Sequence, residues 1–78
     1  MTLAELEIDR EGRIARLTLA PETAAYLRAV GFEEGIGVRV IRRAAFGGPL
    51  LVRTSSGADV ALDPELARGV EIETVELA

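Results

Sequence analysis

Hydrophobic and polar residues alternate in five stretches of this chain, which is the pattern of β-strands that bury one face. The predicted strands are residues 13–19, 36–41, 50–54, 58–62 and 70–74. In the second of them Val38 and Val40 share a face, so we expect both to lie in the core. Polar or glycine-containing segments separate the strands, and residues 9–12, which end in Gly12, are predicted to form the turn into the first strand.

A helix is predicted between the first two strands, at residues 21–30. Pro21 suits the first helical position, where its missing N–H costs nothing. Gly31 ends the helix, and a left-handed Gly31 would bring Phe32 against Leu27 in the contact of a Schellman cap. We therefore predict that Phe32 is a core residue and not a ligand-binding aromatic.

The order of elements predicts a mainly β protein with one short helix. Leu3 and Leu6 are expected to cover one end of it, and Asp63 and Pro64 to open a single helical turn before the last strand. Five short strands are too few for a two-sheet sandwich, so we predict a closed or nearly closed five-stranded SH3-like barrel with a helix inserted after the first strand. The 78 residues contain no repeat or linker, and residues 1–78 are expected to form one domain.

The composition excludes most enzyme chemistry. The chain has no Cys and no His, so no thiol nucleophile, imidazole base or disulfide is available. Glu33 and Glu34 are adjacent, but a solvated pair is the favoured interpretation. Carboxylates alone remain as metal ligands, with Glu71, Glu73 and Glu76 as an unspecific set, so the metal-binding residues are unknown. We predict a protein that is not an enzyme and has no catalytic residues.

Charge is unevenly distributed in this chain of net charge −4. Residues 28–58 contain five Arg and two Glu. Arg39, Arg42, Arg43 and Arg53 lie on strands predicted to pair, which makes them candidates for one basic patch. The acidic total and the absence of Lys argue against a nucleic-acid partner. We expect these arginines to be solvated or at an interface, with Arg39 and Arg53 paired to acidic residues.

The loop between the second and third strands has an apolar tip. Phe46 stands there among small residues, where hairpin turns are normally polar. One interpretation is a surface that docks on a partner, and the other is that Phe46 folds back over the mouth of the barrel. We name as the hairpin tip the predicted partner-binding residues Ala45, Phe46, Gly47, Gly48 and Pro49.

The segment that joins the helix to the hairpin tip resembles the ferrous iron transport protein A (FeoA) family. It has the sequence YLRAVGFEEGIGVRVIRRAAFGGP, residues 26–49. Residues 27–35, Val38, Val40, residues 46–49 and the pair Ala61-Leu62 match the family pattern in order, and the similarity runs from about Leu3 to Glu76. Asp9 is a departure, because many members have Gly there.

The resemblance implies a small SH3-like barrel in the cytoplasm that associates with the membrane-bound ferrous iron transporter, a GTPase-containing permease. It implies no catalytic residues, no required cofactor and no direct insertion into the membrane. Weak binding of divalent iron or another transition metal is compatible with it. Homo-oligomers are compatible with an apolar hairpin. An alternative function is a self-associating sensor of divalent transition metals, similar to the C-terminal domain of metal-dependent repressors.

Overall fold

A computed structural model describes residues 1–75. A 3-10 turn at Leu3–Glu5 precedes strand β1. The elements that follow are β1 (Glu11–Leu17), α1 (Pro21–Ala29), β2 (Gly37–Arg43), β3 (Leu50–Thr54), β4 (Asp59–Leu62), α2 (Pro64–Ala67) and β5 (Val70–Thr74). All five strands and both helical segments match the predicted order, and the ends of β1, α1, β2 and β4 move by one or two residues.

The five strands form one antiparallel sheet in the order β4-β3-β2-β1-β5. The sheet is barrel-like but not closed, so the closed alternative of the prediction is wrong: β4 and β5 are the two edges of the sheet. The edge at β5 is partly covered by the start of the chain, where Ile72 N–H donates to the Met1 carbonyl oxygen at 2.8 Å. This cover protects the β5 edge from pairing with another chain, which closure of the barrel would otherwise do.

The core lies on the inner face of the sheet, beneath α1 and the 3-10 turn. Phe32 is its largest side chain and has no exposed area. Val38 and Val40 are buried as predicted, and so are Leu3 and Leu6. The other buried hydrophobic residues are Ile14, Leu17, Ala24, Leu27, Leu50, Val52, Leu62, Ala67, Val70 and Ile72.

The end of α1 is the predicted Schellman cap. Gly31 has φ +104°, and its N–H donates to the Arg28 carbonyl at 3.1 Å. The N–H of Phe32 donates to the Leu27 carbonyl at 2.8 Å, which places both side chains in the core. The carbonyls at the helix end are thus satisfied by the chain that follows.

The turn into β1 differs from the prediction. It is centred on Asp9, whose φ is +66°, while Gly12 lies inside β1 opposite Thr74 and Val38. A side chain at Gly12 would collide with Ile72, so this glycine serves close packing between strands. Asp9 occupies the left-handed conformation that glycine favours and that Asp tolerates better than most residues.

A β-bulge divides β2 near the hairpin. Val40 is opposite Val52, but the next register pair is Arg42 with Leu51, so Ile41 is the extra residue. Arg43 is consequently opposite buried Leu50. Without the bulge, Arg42 and not Arg43 would continue the inward series of Val38 and Val40.

Candidate partner-docking site

The hairpin tip joins β2 to β3 through a tight turn. The N–H of Gly48 donates to the Ala45 carbonyl at 3.2 Å, and the two residues between them both have positive φ, +58° for Phe46 and +72° for Gly47. These are the features of a type I′ turn. Below it, Ala44 N–H donates to the Pro49 carbonyl at 3.0 Å and closes the base of the loop.

Phe46 projects entirely into solvent, with a relative exposure of 106%. The alternative in which it folds back over the mouth of the barrel is therefore wrong. Its left-handed backbone costs roughly 1–2 kcal/mol for a residue with a Cβ, and a bulky residue is rare in this conformation. Phe46 thus combines an unfavourable backbone with an unburied aromatic ring.

A groove of about 640 Å³ runs beside the hairpin tip. It is lined by Thr2, Ala4, Glu5, Arg43, Ala44, Gly47, Gly48, Leu50, Pro64 and Arg68. These residues come from the 3-10 turn, the two arms of the β2–β3 hairpin and α2. The groove therefore shares Gly47 and Gly48 with the hairpin tip and extends it into a concave surface.

The four arginines predicted as one patch are divided by the sheet. Arg53 forms a bidentate ion pair with Asp59, with nitrogen–oxygen distances of 2.7 and 3.0 Å, and this hydrogen bonding raises the pKa of Arg53 and lowers that of Asp59. The predicted pairing of Arg53 is confirmed. Arg39 is exposed opposite Arg53 and Glu11 and makes no ion pair within residues 1–75. Arg43 turns the other way and donates to the Leu6 carbonyl.

Two of the acidic candidates, Glu71 and Glu34, are engaged in surface ion pairs. Glu71 accepts two hydrogen bonds from Arg16, at 3.0 and 3.1 Å, and one from Thr18, and these bonds lower its pKa to about 2. A second pair is that of Glu34 with Arg28, whose hydrogen bonds, at 3.1 and 2.9 Å, lower the Glu34 pKa to about 2. Glu76 lies outside the described residues. Across residues 1–75 no group of three or more His, Cys, Asp or Glu side chains is arranged to hold a metal ion.

Sequence reasoning found the hairpin tip but missed the groove. Arg68 and Pro64 lie on or beside a four-residue helix far along the chain from Ala4, and no local pattern links them. The inward turn of Arg43 depends on the bulge at Ile41, which period-two alternation does not signal. None of the helices in the described part of the chain is long and apolar enough to cross a bilayer.

The barrel-like sheet of five antiparallel strands, with a helix between the first two, is a domain of the SH3-like class. The sequence model of the FeoA domain matches residues 1–74. The chain therefore belongs to the FeoA family, which is linked to ferrous iron transport. A search of curated proteins finds no match to this chain.

Solved structures of family members are similar over nearly the whole chain. FeoA from Chlorobium tepidum superposes with a TM-score of 0.89 at 21% identity, covering 97% of this chain and 71% of that one. FeoA from Stenotrophomonas maltophilia, crystallised with zinc and described as an SH3 domain protein, is 30% identical, with a TM-score of 0.79 and coverages of 94% and 89%.

The same fold occurs within a larger regulator. A manganese-dependent transcriptional repressor in complex with manganese is 25% identical over 96% of this chain, with a TM-score of 0.88. The match covers only 36% of the repressor chain. This chain therefore corresponds to about a third of that protein.

Proposed function

We propose that this protein is a noncatalytic accessory factor of ferrous iron uptake that docks on the cytoplasmic portion of the membrane transporter, a GTPase-containing permease, and modulates it. The contact is made by the hairpin tip, with Phe46 inserted into an apolar pocket of the transporter. Membership of the FeoA family supports the pathway. The observation that supports the surface is Phe46 itself.

Two features of Phe46 are energetically unfavourable in the free protein. Its ring has a relative exposure of 106%, which forgoes roughly 1.5–3 kcal/mol of burial. Its backbone has φ +58° in a turn where Asn or Gly is the common choice. Exposed aromatics are frequent anchors of protein interfaces, and strained backbone clusters at functional sites. Docking would recover the burial energy that the free fold leaves unused.

The test is capture of the solubilised ferrous transporter by the immobilised chain. Phe46→Asp is expected to abolish capture, because a charge at the tip cannot enter an apolar pocket. Tyr26→Asp is the matched control, since Tyr26 is an exposed aromatic (63%) on α1, outside the hairpin tip and the groove. Circular dichroism verifies that both variants are folded.

The results separate three cases. Capture by the wild type and by Tyr26→Asp, with loss in folded Phe46→Asp, supports docking through the hairpin tip. Equal loss in both variants means that the tip is not the specific contact. No capture by the wild type overturns the proposed function.

A second candidate function is the metal-responsive, self-associating sensor. It is favoured by the similarity to a manganese-dependent repressor at a TM-score of 0.88. Calorimetric titration with ferrous or manganous ion, together with sedimentation of the same samples, tests it. Heat of binding accompanied by an increase in mass would support a sensor. Absence of both the heat and the mass increase would exclude it.

A further inference from the structure

We infer that the groove beside the hairpin tip binds an extended acidic segment of the docking partner, with a partner carboxylate held by Arg68 and Arg43. This inference rests on the proposed function and adds the chemistry of the partner. The hairpin tip supplies an apolar anchor, and the groove would supply a charged one next to it.

The groove has the dimensions of a binding site and is continuous with the hairpin tip. Its volume of about 640 Å³ lies in the range of typical ligand clefts, about 300–1,000 Å³. Gly47 and Gly48 line it, so a segment that covers Phe46 would pass directly into the groove. Exposed Ala44 and half-buried Pro64 provide apolar contact for the stem of such a segment.

Two arginines line this space, and their guanidinium groups have hydrogen-bond donors left over. Arg43 is half-buried and oriented by its bond to the Leu6 carbonyl, which uses one of its five N–H donors. Arg68 is exposed, and its side chain makes no hydrogen bond or ion pair with any residue from 1 to 75. In contrast, Arg16, Arg28 and Arg53 are each bound to a carboxylate.

The acidic residue of the groove, Glu5, is already hydrogen-bonded within the chain. Its Oε1 accepts a hydrogen bond from the Thr2 N–H at 2.8 Å, and the bonds from Thr2 lower the pKa of Glu5. Among the charged residues that line the groove, the two arginines outnumber this single carboxylate, so the lining carries a net positive charge. A carboxylate is the group that a guanidinium binds best through paired hydrogen bonds.

The surrounding charge favours a short acidic peptide over a polyanion. The chain has a net charge of −4 and no Lys, so an extended nucleic acid would meet repulsion beyond the groove. A peptide segment presents one or two carboxylates beside apolar side chains, which matches two arginines beside Ala44 and Pro64. The occupant is therefore an acidic and apolar stretch of the partner protein.

The experiment is a titration of the solubilised ferrous transporter onto the immobilised chain at low and high salt. Arg68→Gln is expected to weaken binding about tenfold at low salt and to flatten the salt dependence, because one charge-assisted contact is lost. Arg10→Gln is the matched control, since Arg10 is exposed and does not line the groove. Arg68 is itself exposed, so Arg68→Gln is expected to fold as the wild type does.

The outcomes distinguish this inference from the proposed function. Weaker, less salt-dependent binding in Arg68→Gln, with wild-type binding in Arg10→Gln, supports it. Wild-type capture that Arg68→Gln leaves unchanged overturns the inference and leaves docking through Phe46 intact. Absence of wild-type capture overturns both. If sedimentation shows a wild-type dimer that Arg68→Gln dissociates, the occupant is a second copy of this chain and the inference is wrong.

Discussion

Phe46 and Gly47 occupy the two central positions of one turn, and both have φ in the left-handed region, +58° and +72°. Gly47 adopts this conformation without a steric penalty. Phe46 does not, and its ring gains no burial in the free protein. The hairpin tip therefore holds a residue that the free fold would be more stable without.

Replacing Phe46 with Asn should stabilise the protein while removing docking. Asn-Gly is a preferred sequence of a type I′ turn, so Phe46→Asn is expected to raise the free energy of unfolding by about 1 kcal/mol. Urea unfolding followed by circular dichroism measures the change, and transporter capture measures docking. A destabilised Phe46→Asn would contradict this account of the turn.

The two phenylalanines of the chain should differ sharply when each is shortened to Ala. Phe32→Ala removes the largest fully buried side chain and is expected to cost about 3–5 kcal/mol. A domain of this size has a stability of roughly 4–12 kcal/mol, so the variant would retain little of it. Phe46→Ala is expected to unfold at the wild-type urea concentration or above it. Equal losses would mean that Phe46 contributes to the core.

Stability should fall in acid because of the two strongly paired glutamates. Hydrogen bonds from Arg16 and Arg28 lower the pKa values of Glu71 and Glu34 from 4.5 to about 2. Their stabilising contribution is present above pH 4.5, where both are also ionised in the unfolded chain, and is lost as the pH falls through about 2.

Substituting Glu71 tests this dependence. Glu71→Gln should be less stable than the wild type at neutral pH, and the two unfolding free energies should converge between pH 4.5 and about 2. Glu73→Gln, on the same strand but without an ion pair in the described part of the chain, is the control and leaves the Arg16 pair in place. A constant difference between Glu71→Gln and the wild type over this interval would refute the ion-pair explanation.

A methyl group at Gly69 should destabilise the fold, whereas one at Gly37 should not. A Cβ at Gly69 would collide with the Leu19 side chain and lie 3.0 Å from the Thr18 carbonyl oxygen, so Gly69→Ala is expected to cost about 1–3 kcal/mol. At Gly37 the first contact is Ser55 Cβ at 3.4 Å, an ordinary packing distance. Gly37→Ala should stay within about 0.5 kcal/mol of the wild type in urea unfolding.

Features that depend on neighbouring residues could be predicted from the sequence. The burial of Phe32 follows from its spacing to Leu27 and Gly31, because a helix cap is a local structure. The apolar hairpin tip was visible for the same reason, since its residues are consecutive. Whether Phe46 is exposed does not follow from the sequence, because an aromatic residue at the end of a loop is compatible with either interpretation.

Features that depend on distant residues could not be predicted. The bulge at Ile41 leaves hydrophobic alternation almost unchanged in the sequence, yet it moves Arg43 to the inner face and divides the predicted basic patch. The groove combines Ala4, Gly48 and Pro64, which share no sequence pattern. Closure of the barrel likewise depends on an edge pairing between β4 and β5 that alternation does not encode.

The position of β1 between β2 and β5 has a consequence for the order in which the protein assembles. The contact of Arg16 with Glu71 joins residues 55 positions apart, so pairing β1 with β5 closes a long loop and is entropically costly. The meander of β2, β3 and β4 involves neighbours in sequence, and hairpins of this kind form within microseconds. The hairpin tip thus belongs to the segment expected to fold first.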